Sequence, residues 1–246
     1  MSKKRIAISK LGNTHAFEDK NNQDFVVSIL NLKMVLDGCG SCLFSEIGTR
    51  LFAQFFLEEV KKFESTINSA KNIEKAELSI EKIQLTELSF FKMVDEVFAR
   101  LTKISRSDDF YYQNFCFTIL ACLELENEYV VFACGDGYIL KQTNAEVDFQ
   151  KLDDGEYPKY YIYNYIHDKE RLQEYRDGVE FSSYHFAKHE YNNVGVATDG
   201  IRFVEALEFI EKNRFQEYLK EGKKGKIGML LNRNTIVFKD DISICF

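Results

Sequence analysis

Two long runs near the middle of the chain, Phe115 to Leu125 (FCFTILACLEL) and Tyr129 to Gly135 (YVVFACG), constrain the fold most. Both are rich in β-branched, aromatic and small apolar residues, and the polar turn Glu126-Asn127-Glu128 separates them. A third run, YILKQT, comes after Gly135-Asp136-Gly137. The three read as consecutive antiparallel strands joined by hairpins. Strand-like alternation also appears in FVVSIL from Phe25 and in KMVLD from Lys33 to Asp37, which breaks at Gly38-Cys39-Gly40. The segment after this turn has helical period. Phe44, Ile47, Gly48, Leu51, Phe52, Phe55, Phe56 and Val60 recur at steps of three and four, with Glu46, Arg50, Gln54, Glu58 and Lys61 on the other face. A polar stretch through Lys75 leads to a second amphipathic helix near Leu85 to Lys103, whose predicted inward residues are Leu88, Phe91, Val94, Phe98 and Leu101. From Asp153 to Tyr191 the pattern is poor and rich in tyrosine and charge, an irregular excursion with a strand near Phe181 to Phe186. NVGVATDG is a buried strand ending in Asp199-Gly200, Phe203 to Leu219 is helical, Gly222 to Gly228 a loop, and DISICF a closing strand. Strands in runs with helices between them predict an α+β layered fold rather than alternating βαβ. With no repeat and no linker, residues 1–246 read as one domain.

Hydrophobic residues make up 45% of the 246 residues and charged residues 29%, an ordinary globular balance. The formal charge of −7 argues against a nucleic-acid backbone as ligand, because such binders present a basic face. The basic start MSKKRIAISKLG has no apolar run long enough for a signal peptide, and no stretch is long enough to cross a membrane. The expectation is a cytoplasmic protein without membrane contact, acting as a monomer. Six cysteines follow no disulfide spacing. Cys39 and Cys42 form a CxxC, but no second ligand pair stands at zinc spacing and no thioredoxin-like context surrounds it. They read as reduced structural residues.

Four aspartates sit at or beside the ends of apolar strands: Asp24 before FVV, Asp37 after KMVL, Asp199 after VGVAT and Asp240 before ISICF. A single aspartate in such a place is ordinarily a turn former or helix cap. Four at strand ends converge on one crevice if the strands share an edge. Carboxylates gathered there repel one another and raise each other's pKa unless a cation neutralises them. An oxygen-only set suits Mg²⁺ or Mn²⁺ rather than zinc, and two such ions balance four carboxylates. They can also share a water and acidify it for in-line attack on phosphorus.

These segments, in order, resemble the motifs of the metal-dependent 2C-type protein phosphatases. NTHAFEDKNNQDF resembles the first motif in the bacterial branch, with His15 nine residues before the aspartate of Gln-Asp. MVLDGCGSCLFSEIGTRL resembles the Asp-Gly motif with its helix, and FCFTILACLELENEYVVFACGDGYIL the central hairpins. VGVATDGI and KDDISICF resemble the last two Asp motifs. The resemblance spans nearly the whole chain. It implies a four-layer αββα sandwich of two mostly antiparallel sheets flanked by helices, with a centre of two Mn or Mg ions at one end between the sheets. It implies hydrolysis of phosphoserine or phosphothreonine on a phosphorylated protein substrate, by water activated between those ions. Asp37 and Asp24 then carry the chemistry. Asp37 bridges both ions, the Gly38 carbonyl binds one, Asp24 and Asp240 hold one side, and Asp199 the other. Asp136 reads as a structural turn.

Several positions depart from the family pattern. Asp19 stands where many members carry a phosphate-binding arginine, which leaves His15 as the nearest candidate for that task. Cys39 replaces a histidine proposed elsewhere as general acid, and a thiol is a poor proton donor to an alkoxide. Gln113 and Phe203 occupy the positions of third-ion ligands, so two ions are expected; Asp108 and Asp109 lie close in sequence and would substitute only if their loop folds back to the metal edge. The rival to an enzyme is a phosphatase fold that is catalytically weak or inactive and works as a binding or sensor module. Intact aspartates argue for the enzyme.

Overall fold

A computed structural model describes residues 5–73, 83–152 and 158–246. In chain order the elements are β1 (Ala7–Lys10), α1 (Asn13–Phe17), β2 (Phe25–Ile29), β3 (Leu32–Gly38), α2 (Ser45–Ile73), α3 (Glu87–Leu101), α4 (Asp108–Asn114), β4 (Phe117–Glu124), β5 (Glu128–Cys134), β6 (Gly137–Gln142), β7 (Val147–Leu152), β8 (Ser182–Ala187), β9 (Asn193–Ala197), α5 (Phe209–Lys220), α6 (Lys224–Arg233) and β10 (Ile242–Cys245). Short 3₁₀ stretches at Tyr161–Tyr165, Lys169–Tyr175 and Asp199–Ala206 interrupt the connections. One sheet has the order β2-β3-β4-β5-β8 and the other β1-β10-β9-β6-β7, with antiparallel pairing throughout.

The period of two in β3 sorts its residues between two cores. Leu32, Met34 and Leu36 pack with Phe52 and Phe56 of α2 and Phe90 and Phe98 of α3. Val35 faces the other way and packs with Leu120, Val131, Val196 and Cys245 between the sheets. Beyond the second sheet, Ile242 and Ile244 pack against Phe215 and Leu219 of α5 and Ile227 and Leu231 of α6. Helix, sheet, sheet, helix is the observed layering, the αββα sandwich that the motifs imply. Strands β4 and β5 are buried on both faces, which is why their apolar runs are so nearly continuous.

Gly135-Asp136-Gly137 does not close a hairpin. The chain leaves β5 in one sheet and enters β6 in the other, where β6 pairs with β7 and β9. Both edges of β5 are already taken by β4 and β8, so a third run could not pair there. The turn crosses the gap at Gly135 (φ 106°) and Gly137 (φ 138°). A Cβ at either would fall 2.4 Å from a Thr118 or Leu120 side chain, so glycine is needed for conformation and for space.

Other expectations shift. Helix α2 continues through the polar residues to Ile73, carried by its packed N-terminal half; the rest of the polar stretch and the first residues of the excursion lie outside the described residues. In α3 the buried stripe is Phe90, Met93, Val94, Val97, Phe98 and Leu101, and Leu88 is 81% exposed. The Thr86–Ser89 capping box closes the start of that helix. The predicted helix from Phe203 is divided into the 3₁₀ stretch and α5. The predicted loop 222–228 holds the start of α6, because Ile227, Leu230 and Leu231 bury one face while Gly225 and Gly228 face open space. The tyrosines of the excursion pack. Tyr160 and Ile162 are buried beside α3, Tyr161 lies 5.0 Å from the Phe98 ring, and its hydroxyl donates to Asp95 at 2.6 Å.

Candidate metal centre

Neighbouring strands bring the predicted aspartates to one end of the gap between the sheets. Asp24 precedes β2, and Asp37 is the penultimate residue of its partner β3, beside Gly38 at the strand end. Asp199 follows β9, and Asp240 and Asp241 precede its partner β10. The two sheets are joined here by Thr198. Its hydroxyl donates to Asp24 Oδ2 at 2.7 Å and accepts the Ser243 N–H at 2.9 Å. A Cβ at Gly200 would lie 1.8 Å from the Asp241 carbonyl, so the Asp-Gly after β9 is what lets the Asp199 and Asp240 loops touch.

Burial and mutual repulsion dominate the electrostatics. Burial, reinforced by the Asp241 charge, pushes the Asp24 carboxyl up to about 8. Asp37 is held well above the carboxylate range, first by burial and then by Asp24, Asp199, Asp136 and Asp240. Asp199 rises to about 6 through burial, with Arg202 pulling it back and Asp240 and Asp136 adding to the rise. Asp24 Oδ1 is buried with no hydrogen-bond partner. An oxygen-only set with an orphaned acceptor and too many charges fits a hard divalent cation. Among the described residues no three carboxylates, imidazoles or thiols already converge as a cage for one ion. Instead Arg202 lies across the outer pair: it bonds Asp199 Oδ2 through Nη1 and Asp240 Oδ2 at 3.2 Å through Nη2.

The two residues of the Asp240-Asp241 pair are placed differently. Asp241 is buried, and its two oxygens accept the Gly12 N–H at 2.7 Å and the Gln23 N–H at 2.6 Å, tying the segments before α1 and β2 to β10. Asp240 points outward, with its side chain 36% exposed. His15 is buried with Nδ1 at 3.1 Å from Asp241, in poor alignment for a hydrogen bond, and Nε2 at 3.8 Å from Asp240. Asp241 raises its pKa, against the pull of burial, with smaller help from Asp240. Both ring nitrogens thus face carboxylates. The Cys39 thiol is pushed up by Cys42 and by burial, and Cys42 up to about 12 by Cys116, so both are neutral thiols.

Asp108 and Asp109 are engaged elsewhere. Asp108 accepts the N–H groups of His167 and Asp168 and meets His167 Nδ1 at 2.8 Å, while Asp109 pairs with Arg171. They fasten α4 to the excursion and border an open cavity of about 330 Å³, which none of the strand-end aspartates lines. Gln113 Oε1 accepts the Leu43 N–H. Sequence reading missed Arg202 and Thr198, and it took Asp136 only as a turn although its charge reaches Asp37 and Asp199.

The family model described as Protein phosphatase 2C matches residues 11–224, which leaves the Asp240-Asp241 segment beyond its end. No curated protein matches the sequence. Among solved structures, the serine/threonine phosphatase Stp1 from Staphylococcus aureus is 14% identical with a TM-score of 0.59, covering 100% of this chain and 94% of its own. The Mycobacterium tuberculosis serine/threonine phosphatase PstP/Ppp is 14% identical with a TM-score of 0.55, covering 98% and 96%. The catalytic domain of PstP in complex with two manganese ions is 13% identical with a TM-score of 0.55, covering 98% and 95%.

Proposed function

Because the chain belongs to the protein phosphatase 2C family, and so to the serine/threonine protein phosphatases, we propose that it dephosphorylates phosphoserine or phosphothreonine proteins using two divalent cations, Mn²⁺ or Mg²⁺, held by Asp24, Asp37, Gly38, Asp199 and Asp240. The observation that carries this reading is the buried carboxylate cluster at one end of the inter-sheet gap, with its raised proton affinities and the orphaned Asp24 oxygen. A relative of the same fold is in complex with two manganese ions. When bound, such ions supply charge to the phosphoryl oxygens and acidify a water for attack.

The chain's own residues divide the remaining work. Asp37, central to the cluster, would contribute to holding both ions. Thr198 fixes the rotamer of Asp24 through its 2.7 Å hydrogen bond. Asp241 holds the surrounding loops through two backbone N–H groups, and so positions Asp240 and His15 rather than binding metal. With its pKa pushed up, the Cys39 thiol is a poor proton donor to the leaving oxygen. Among the described residues no helix is long and apolar enough to cross a membrane. We read the chain as one domain, monomeric and cytoplasmic.

A second reading, a catalytically weak binding or sensor module, is favoured by one observation: Arg202 occupies the outer carboxylate pair. Turnover of a phosphothreonine peptide with added Mn²⁺, with and without chelator, separates the two. Turnover that disappears with chelator and in Asp37→Asn supports the enzyme. Full turnover in excess chelator would sink the metal mechanism, and no turnover with added Mn²⁺ would leave the binding module.

A further inference from the structure

Arg202 is placed by local geometry. Asp199–Ala206 is a 3₁₀ stretch, in which residues three apart lie directly above one another, so the Arg202 side chain stacks over Asp199. Its guanidinium sits 4.9 Å from the Phe203 ring centroid, and Phe203 packs against the core under α5 and α6. The planar group reaches two carboxylates from different strand ends, Asp199 after β9 and Asp240 before β10. Elsewhere around the cluster, His15 is turned to Asp241, and Lys151 acts on Asp199 only through space and less than Arg202 does. The arginine is also removable. Its side chain is 47% exposed, so its head can pass into water without a large desolvation change.

We propose that Arg202 is a tethered counter-ion for the Asp199–Asp240 pair, and that a divalent cation entering this outer position must displace it. The inference rests on the metal-dependent reading and deepens it: Arg202 sets how much cation the enzyme needs before the outer position fills. A fixed guanidinium could instead hold the two carboxylates ready for the cation. The two roles predict opposite signs. A competitor weakens cation binding, and an orienting group strengthens it.

The test is Mn²⁺ titration by calorimetry at fixed ionic strength on the full chain, comparing wild type with Arg202→Met, Arg202→Lys and Asp199→Asn. Two exposed ion pairs of ordinary strength correspond to about three- to tenfold in affinity. Arg202→Met is therefore expected to bind Mn²⁺ about three- to tenfold more tightly than wild type. Arg202→Lys, which keeps the charge but loses the two-pronged fork, should fall between them. Asp199→Asn should bind more weakly than all three. Equal or weaker binding by Arg202→Met, with wild type binding normally, overturns the competitor role while leaving the metal site intact. Failure of both wild type and Arg202→Met to bind Mn²⁺ overturns the metal reading and this inference with it.

Discussion

Strand β3 carries two ionisable side chains on the same face, Lys33 toward one end of the inter-sheet gap and Asp37 at the other. They are four residues apart, about 13 Å along the strand. Both are taken out of water, but their surroundings differ. Lys33 is 1% exposed, and its ammonium donates to Asn193 Oδ1 and to the Val194 carbonyl, each at 2.5 Å, with the Tyr129 ring 5.4 Å away. Across the gap, β9 supplies both acceptors. At the Asp37 end carboxylates repel one another, and Asp24 Oδ1 and the Thr118 and Ser243 hydroxyls are buried without a hydrogen-bond partner. A buried charge as such is therefore no sign of a site, since folds hold them when the hydrogen bonds close. Unclosed bonding is the sign, and of these two ends it is the aspartate end that shows it.

The comparison breaks most sharply on activity. Asp37→Asn should lower kcat/KM more than about a hundredfold, because even groups one step removed from a metal can cost that much. Lys33→Met should leave kcat within about twofold in the same assay. Equal losses would mean the two ends are not functionally distinct. Ligand-linked stability is the next largest effect. At a hundred times its Kd, Mn²⁺ should add about 2.7 kcal/mol, a rise in Tm of about 5–10 °C. Asp240→Ala should shrink that rise without lowering the metal-free Tm. Asp241→Ala should lower the metal-free Tm instead, because it strands the Gly12 and Gln23 N–H groups. If the two variants exchange behaviours, Asp241 is the ligand and Asp240 the anchor.

Much of the aspartate end was legible in the sequence because its signals are local. Each aspartate adjoins an apolar run, and the Asp-Gly of Asp199-Gly200 marks a close approach that the Asp241 carbonyl confirms. The illegible parts depended on partners distant in the chain. Gly135-Asp136-Gly137 has the turn chemistry of a hairpin, and only the occupied edges of β5 divert it to the other sheet. Strand β7 and helix α6 were missed since their apolar residues are sparse and α6 carries Gly225 and Gly228. Arg202 reads as an ordinary surface arginine until the 3₁₀ period places it over Asp199. Lys33 is likewise an ordinary strand lysine until β9 covers it.

The two ends should also answer pH with opposite signs. Native Asp24 holds its proton up to about pH 8, whereas the unfolded chain releases it near 3.8. Between those values the native state binds more protons, so metal-free stability should fall as pH rises through the window. Burial lowers the Lys33 pKa from 10.5, so just below 10.5 the unfolded chain binds more protons and this residue's contribution rises with pH. Urea unfolding of the metal-free protein at pH 5, 6.5 and 8 measures the first slope. Asp24→Asn should reduce it, with Asp37 and Asp199 supplying the rest, and should raise stability at pH 8, where the wild-type carboxyl ionises in a buried site. A slope unchanged in Asp24→Asn would remove Asp24 from the account of apo instability.

The smallest effect tests whether the Lys33 end is as settled as its hydrogen bonds suggest. Lys33→Met keeps most of the volume and removes the charge. The variant loses two donors to Asn193 and Val194, at about 1 kcal/mol each for ordinary hydrogen bonds and more for charged ones. Against that, it no longer holds an ammonium away from water between Tyr129 and Phe246, and such replacements are often neutral or stabilising by about 1–4 kcal/mol. The Asn193 amide, on the first residue of β9, can turn to a new partner, whereas the Val194 carbonyl is fixed in the strand. The terms nearly cancel, so the expected change at pH 7 is within about 1 kcal/mol, with the high-pH rise in stability gone. Lys33→Ala should cost about 2–5 kcal/mol, the usual range for emptying a long buried side chain. A loss as large in Lys33→Met as in Lys33→Ala would show that the ammonium pins the two sheets together, and that this end of the gap is held by charge rather than by packing.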